Sequence, residues 1–425
     1  MARLLARRRS SGRAPSTGGS GFRLRDVAVA AYGPTVVNAT GHGAVMPVLA
    51  LRARELGADV STAATVVALL GVGMLLASLP AGALVARIGE RRTLVAAGMV
   101  DAVVMVAAAL SSSVLVLGIA VTLSGMTWTA FLLARQGFMI DAVPLAHRAR
   151  ALAALGGAHR VGLLVGPLLG AVLIHLADLR ATFVLAAGLS VVAGLMALLM
   201  PDLGAAGRDQ QQAAGGHLGV WAVLRAHRRT LLTLGTAVVV IGASRSVRNG
   251  LLPLWADHVG IPASTTSVIF GVAAAVDIAF FYPGGWLMDT RGRTVVAVPV
   301  VLSVAVAALL LPLAHSVAAV TAVVALIAVG NGLGSGIVMT LGADAAPAVG
   351  RSQFLGGWRL CGDLGNTGGP LLVAGVAAVA PLAAASIAVG VLGLVGTAWV
   401  GWWVREADRA ARPGPTLPAR GVSRS

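Results

Sequence analysis

Apolar residues in this chain come in long runs. A bilayer core of ~30 Å needs ~20 apolar residues at 1.5 Å each. Runs of that length occur twelve times and predict helices over 27–50, 62–86, 93–110, 114–140, 151–175, 181–200, 230–255, 263–288, 294–313, 316–342, 353–379 and 382–404. The expected fold class is all-α, a polytopic membrane protein with twelve transmembrane helices in two pseudo-symmetric six-helix bundles. Most connections are short. The exception, 201–229, holds Gln210, Gln211 and Gln212, then Gly215 and Gly216, and ends in a stretch mixing Trp221, Val223 and Leu224 with Arg225, Arg228 and Arg229. That last stretch suits an amphipathic helix lying on a membrane surface. The pattern divides the chain into a disordered basic tail (1–26), a bundle (27–200), a linker (201–229), a second bundle (230–404) and a disordered tail (405–425).

Composition agrees. The chain is 57% hydrophobic and 11% charged over 425 residues, with a mean hydropathy of +0.87, whereas soluble domains run near 25% charged. All 32 basic residues are arginine, against 16 acids, for a net charge of +16. Such a charge fits a nucleic-acid binder only if it gathers into a soluble basic face, and here it does not. Twenty-four arginines fall in the tails, the linker and the connections on one side; Arg52, Arg54 and Arg180 fall in connections on the other; five lie inside spans. That bias places both termini in the cytoplasm and leaves no nucleic-acid partner. The three far-side arginines carry little information in sequence.

A single cysteine, Cys361, excludes an internal disulfide, and the eight scattered histidines show no zinc spacing; no metal or cofactor is expected. The arginines before Ser10 do not make a secretory signal, because polar Ser10–Ser20 stands where a short apolar region should follow. The lysine-free, alanine- and arginine-rich usage is typical of high-GC bacterial coding, so the expected location is a bacterial plasma (inner) membrane, multi-pass.

The halves repeat. Pro80, Gly82, Leu84 and Gly89 recur 203 residues later as Pro283, Gly285, Leu287 and Gly292, and Asp141-Ala-Val-Pro144 recurs as Asp344-Ala-Ala-Pro347. Leu155-Gly156-Gly157 recurs as Leu355-Gly356-Gly357, offset by 200. Duplicated six-helix halves about a midplane site are a transporter design.

Over about 27–404 these residues resemble the major facilitator superfamily. The segment Gly82-Ala-Leu84-Val-Ala86-Arg87-Ile-Gly89-Glu90-Arg91-Arg92 is similar to the family's G-x-L-x-D-R-x-G-R-R loop, with Ala86 in place of the aspartate. The second copy, Gly285-Trp-Leu287-Met-Asp289-Thr290-Arg291-Gly292-Arg293, keeps the acid. The resemblance implies cytoplasmic latch loops, with Asp141 and Asp344 as partners for Arg87, Arg91, Arg291 and Arg293; a basic loop that only obeys the charge rule is the plainer account. Span five carries Gly162-x-x-x-Gly166-Pro167-x-x-Gly170, similar to the motif of proton-coupled drug antiporters, and span eleven a looser copy, Gly362-x-x-x-Asn366-x-Gly368-Gly369-Pro370. Small residues at i and i+4 let a neighbouring helix approach, and proline bends the span. The arginine those antiporters carry four residues before a glycine in span four is Val121 here.

Polar groups inside spans face a cavity or a partner. Arg160 lies roughly 15 Å and Asp277 roughly 18 Å from the cytoplasmic ends of spans five and eight, and the resemblance makes those spans neighbours, so the two are expected to pair. Arg359 and Asp363 stand at i and i+4 and can satisfy each other. Arg248 is expected to snorkel outward. The resemblance makes spans one, four, seven and ten line the cavity, so the cavity candidates are Tyr32, Asn38, His42, Trp128, Arg135, Arg245, Asn249 and Asn331. Each alone serves packing as readily as binding. Asp101, Arg160, Asp277, Arg359 and Asp363 are the coupling candidates. Five intramembrane arginines against three aspartates favour an anionic or carboxylate-bearing substrate.

The expected protein is no enzyme, since no nucleophile or metal constellation occurs. It is a permease that exports a small organic molecule or drug by alternating access against protons, a multidrug-type efflux antiporter working as a monomer. A proton symporter or facilitator for metabolite uptake is the alternative; a non-transporting membrane receptor is a remote one.

Overall fold

The computed structural model describes residues 24–143, 145–200, 220–347 and 349–411, and among these no strand occurs. The described residues form twelve long helices. In the first half these are α1 (Leu24–Val45), α2 (Val60–Ile88), α3 (Glu90–Leu110), α4 (Val114–Ala142), α5 (Leu145–Leu176) and α6 (Arg180–Leu198). The second half holds α7 (Thr236–His258), α8 (Ala263–Arg291), α9 (Thr294–Leu310), α10 (Val317–Leu333), α11 (Arg351–Ala377) and α12 (Leu382–Ala411). Ten helical stretches are long and apolar enough to cross a membrane; α1 and α11 are not among them. Those two carry Asn38, Thr40 and His42, and Arg359, Asp363 and Asn366.

Three expected spans are interrupted. The first ends at Val45, where a 3-10 turn holding Pro47 leads into a short helix, Leu49–Glu55. The tenth stops at Leu333, and Gly334 and Gly336 precede a separate helix, Ile337–Ala345. The seventh opens with a π-helical turn, Leu231–Gly235. At the C-terminal end α12 continues to Ala411, beyond the boundary expected at 404. Of the linker, a short helix Val220–Ala226 is seen; the tract 201–219 and the tails 1–23 and 412–425 lie outside the described residues.

The two halves pack alike. Helix α1 packs on α5 and α6 as α7 packs on α11 and α12; α2 packs on α4 as α8 on α10; α3 packs on α6 as α9 on α12. Between the halves α2 meets α11 and α5 meets α8. The sharp turns repeat too. Glycines with positive φ stand at Gly57 and Gly260 and at Gly89 and Gly292, conformations an L side chain rarely adopts. Ser113 caps α4 through Val116 N, and Ser316 caps α10 through Ala319 N, each satisfying an orphan amide.

Glycines fix the closest helix pairs. A Cβ on Gly162 would meet Ala39, the Val36 carbonyl and Thr40 N; one on Gly166 would meet the Thr40 carbonyl, Ala44 N and Gly43. In the second half a Cβ on Gly365 would meet the Val239 carbonyl, Ala243 N and Gly242, and one on Gly369 would meet Ser246, the Ala243 carbonyl and Val247 N. Four of these backbone contacts recur at a shift of 203. The counterpart of Gly162-x-x-x-Gly166-Pro167 is therefore Gly365-x-x-x-Gly369-Pro370, and the sequence alignment through Gly362 and Asn366 is off by three. The Leu-Gly-Gly match at 200 lies outside this packing register, and Gly156 and Gly356 have open space around them.

Apolar packing shows how the halves meet. One continuous core joins Val48, Leu49 and Leu117 of the first half to Leu251, Trp255 and Leu311 of the second, at the ends far from the chain termini. At the terminal-side ends the core splits. One cluster around Phe131, Phe138 and Leu155 is built from the first half alone, and another around Phe354, Trp358 and Val400 from the second. The halves are joined at the far face and have separate cores at the face that carries the termini.

The corrected register is checked by paired substitutions. Gly365→Ala is expected to cost about 1–3 kcal/mol by forcing α11 off α7. Gly362→Ala, whose Cβ meets only Val238 at 4.0 Å, is expected to leave the melting temperature in detergent unchanged or slightly raised. Equal losses at both positions would contradict the register.

Candidate functional site

A buried carboxylate accepts hydrogen bonds and donates none, so it is tolerated only among donors. Asp101, on α3, is placed that way. Thr127 Oγ1 and Ser124 Oγ from α4 donate to its Oδ1 at 2.8 and 3.0 Å, and Ser190 Oγ from α6 donates to Oδ2 at 2.7 Å. His42 Nε2, from α1, stands 3.3 Å from Oδ2, within ion-pair distance, and makes no hydrogen bond. Both side chains are at most 5% exposed. Beyond His42 the ring of Trp128 lies edge-on at 4.0 Å, and His159 of α5 follows at 5.4 Å from Trp128. His42, one of the cavity candidates, thus stands directly beside Asp101.

A second group sits between the halves. Asp277 of α8 pairs with Arg248 of α7 at 3.2 Å. Arg248 therefore points to a carboxylate inside the protein and does not snorkel. Arg245, one turn earlier, is within electrostatic range of Asp277, Arg160 and Arg248. Arg160, the expected partner of Asp277, feels that charge but places its guanidinium 4.7 Å over the Phe281 ring, a cation–π contact. Arg248 meets Asp277 from the adjacent helix, while Arg160 stands across the α5–α8 seam.

The third group lies at the α2–α11 seam. Arg359 and Asp363 approach to 3.8 Å along α11, as their spacing predicts, and Ser78 of α2 donates to the same Asp363 oxygen at 3.2 Å. Arg135 is buried on α4, its Nε unpartnered, and feels the like charge of Arg359 across the gap between the halves. Asn38 and Asn331 are buried, and Asn331 Oδ1 has no partner; Asn249 is half-buried. Tyr32 donates its hydroxyl to the Ala151 carbonyl of α5 at 3.4 Å, an interhelix contact within the first half.

The basic-loop candidates divide. Arg293 meets Asp344 at 2.9 Å. Arg91 donates to the Leu198 carbonyl at 2.6 Å. Arg87, Asp289 and Arg291 are exposed, and Gly82 and Gly285 have open space around them. The side chain of Asp141 lies outside the described residues.

Comparison with known proteins fits this duplicated architecture. The family model described as Major Facilitator Superfamily matches residues 35–370 and 234–423. The chain belongs to the major facilitator superfamily. A search of curated proteins gives no match. Among solved structures, a POT family transporter in complex with a thioalcohol-conjugated peptide is similar at a TM-score of 0.72 and 13% identity, over 90% of this chain and 96% of the other. The nucleoside transporter NupG is similar at 0.70 and 13%, over 88% and 98%. A POT family transporter in complex with 5-aminolevulinic acid gives 0.67 and 14%, over 92% and 98%. At such identities the likeness shows the fold, which is that of multi-pass membrane transporters.

Within this transporter fold, several residues that carry structure were invisible as a pattern. Asp408, in the stretch assigned to a disordered tail, accepts from Arg293 N, Thr294 N and Thr294 Oγ1. It caps α9 and ties the 291–294 turn to α12. On the far face, Arg52 is buried and donates to the Ser111 carbonyl at 2.7 Å and to Glu55 at 2.5 Å. Its counterpart 203 residues on is Trp255, whose indole donates to the Ala314 carbonyl at 2.9 Å. The two bonds span the same 59 residues, so different donors perform one clamp. Arg54 meets Asp257 of the other half at 3.3 Å, a separation of 203 residues, and Ser61 donates to the Ala374 carbonyl at 2.9 Å. Of the far-side arginines, Arg54 thus bridges the halves and Arg52 ties connections within the first. The signal for them was the repeat offset itself, applied to polar residues.

An exposed pair contributes little, about 0.2–1 kcal/mol, but reversing one member sets like charges together. Arg54→Asp alone and Asp257→Arg alone should each lower the melting temperature, and the double exchange should recover most of the loss. A double variant no better than either single would show that the pair does not hold the far end.

Proposed function

We propose that this transporter exports a small organic molecule across a bacterial plasma membrane by alternating access, in exchange for protons. On this reading the face with the termini is cytoplasmic, as the arginine distribution requires. The split cores then describe an inward-open state, with the far face shut by the shared core, the Arg54–Asp257 pair and the Ser61 bond. The other limb of the cycle parts these contacts and brings the two basic loops toward the opposite half. The protein works as a monomer, and its arginine-lined interior favours an acidic substrate.

The observation that carries proton exchange is the buried pair of His42 and Asp101. A histidine is the side chain whose proton is most readily gained and lost near neutral pH. Here its Nε2 faces a carboxylate held by three hydroxyls drawn from two other helices. Trp128 packs against the His42 ring, and the glycine seam that joins α1 to α5 flanks it on the same helix. The antiporter-like seam Gly162, Gly166, Pro167 and Gly170 is what sets α5 against α1 there. This arrangement supplies a proton-carrying group by a route other than the span-four arginine, whose place Val121 occupies.

Proteoliposomes with an imposed pH gradient decide the matter, with ethidium as a cationic and benzoate as an acidic probe. Export predicts that protons enter as the substrate leaves, and that Asp101→Asn and His42→Gln lose the gradient-driven component by roughly 5–150-fold while substrate counterflow persists. Movement of probe and proton in the same direction would make the protein a symporter. A gradient response unchanged in Asp101→Asn would remove this pair from the coupling.

A further inference from the structure

The Asp277 group carries more charge than it can balance. Arg248 pairs with this carboxylate at 3.2 Å, and two more guanidinium groups, Arg245 one turn away on the same helix and Arg160 over Phe281, lie within electrostatic range of it. Among the described residues only Arg248 forms an ion pair with it, through Oδ2. The other oxygen, Oδ1, is buried without a partner, and Arg160 rests over Phe281. A guanidinium keeps its charge at any physiological pH, so proton loss does not relieve the excess of two positive charges. In a low-dielectric setting such an excess attracts an anion with at least two acceptor oxygens.

Position narrows the assignment. Arg160 belongs to α5 of the first half, and Arg245 and Arg248 to α7 of the second. The group sits at the α5–α8 seam, where the two halves touch. An oxyanion bound there would be held by both halves at once, as a substrate must be for its binding to bias their relative positions.

We propose that Arg160, Arg245 and Arg248 form the recognition site for the acidic group of the substrate, a carboxylate or a phosphoryl oxyanion, and that Asp277 is its resident stand-in. With no substrate bound, Asp277 occupies Arg248 and keeps the cluster tolerable. An arriving oxyanion takes Arg248 from Asp277 and engages Arg245 and Arg160. This rests on the transporter reading and names the substrate chemistry of its site; it is independent of whether protons are exchanged.

Thermal unfolding of the purified full-length chain in detergent tests it without any gradient. Sodium benzoate probes a carboxylate and sodium phosphate a phosphoryl group, each against sodium chloride at equal ionic strength. At least one should raise the melting temperature above chloride, as a ligand of the folded state does. Arg245→Gln and Arg248→Gln should each weaken the apparent affinity by about tenfold. Asp277→Asn, which removes the competitor, should melt lower in chloride and gain more from the anion than the unsubstituted chain. No rise with either anion, or arginine variants as responsive as the parent, would overturn the site. An Asp277→Asn variant that gains less than the parent would overturn the stand-in role. Proton coupling is read separately in proteoliposomes, so loss of one result leaves the other standing.

Discussion

Two backbone-to-backbone seams set the helices that carry His42, Arg160, Arg245, Arg248, Arg359 and Asp363. Gly162 and Gly166 press α5 onto α1, and Gly365 and Gly369 press α11 onto α7, so closely that a single Cβ would strike main-chain atoms of the partner. In a bilayer no hydrophobic force drives helix against helix, and close packing through small residues takes its place. Each seam fixes the rotation of its helix. His159 and Arg160 lie within one turn of the first seam, and Arg359 and Asp363 within two turns of the second. With one side of α5 and α11 committed to α1 and α7, other faces remain to meet α8 and α2 of the opposite half. The charged groups at the interface are there because glycine occupies the other side.

Duplication preserved the scaffold and released the chemistry. Turns, caps, seams and the far-face clamp all recur at 203, even where the donor changed from the guanidinium of Arg52 to the indole of Trp255. The interior polar residues do not recur. Position 42 is histidine and 245 arginine; 101 is aspartate and 304 valine; 128 is tryptophan and 331 asparagine; 277 is aspartate and 74 methionine. The first half therefore encloses a buried aspartate beside a histidine, and the second contributes Arg245 and Arg248 to the seam.

Element type and the approximate places of the long helices were readable from hydropathy, because a helix in lipid must satisfy its own backbone and be largely apolar. The interruptions at Val45 and Leu333 were not, since hydropathy does not register Pro47 or the glycines at 334 and 336 as breaks. The i, i+4 pair Arg359–Asp363 was readable because both partners share a helix. The partner of Asp277 was not: depth along a helix fixes one coordinate, and rotation, set by the glycine seams, chose Arg248 over Arg160. Asp408 was missed because its role, capping α9 from α12, leaves no local pattern. The placement of Arg54 opposite Asp257 was implicit in the repeat, but only a structure shows which repeated positions lie on the axis.

That last contact limits the ancestry of the molecule. A residue facing its own counterpart stands on the pseudo-twofold axis, where a pair of identical halves would set arginine against arginine or aspartate against aspartate. Like charges at that distance repel, so two copies of either half could not close their far face with this contact. The sign change at one of the two positions is a broken symmetry. It makes each half the other's required complement at this contact, and disfavours self-pairing of either half made alone.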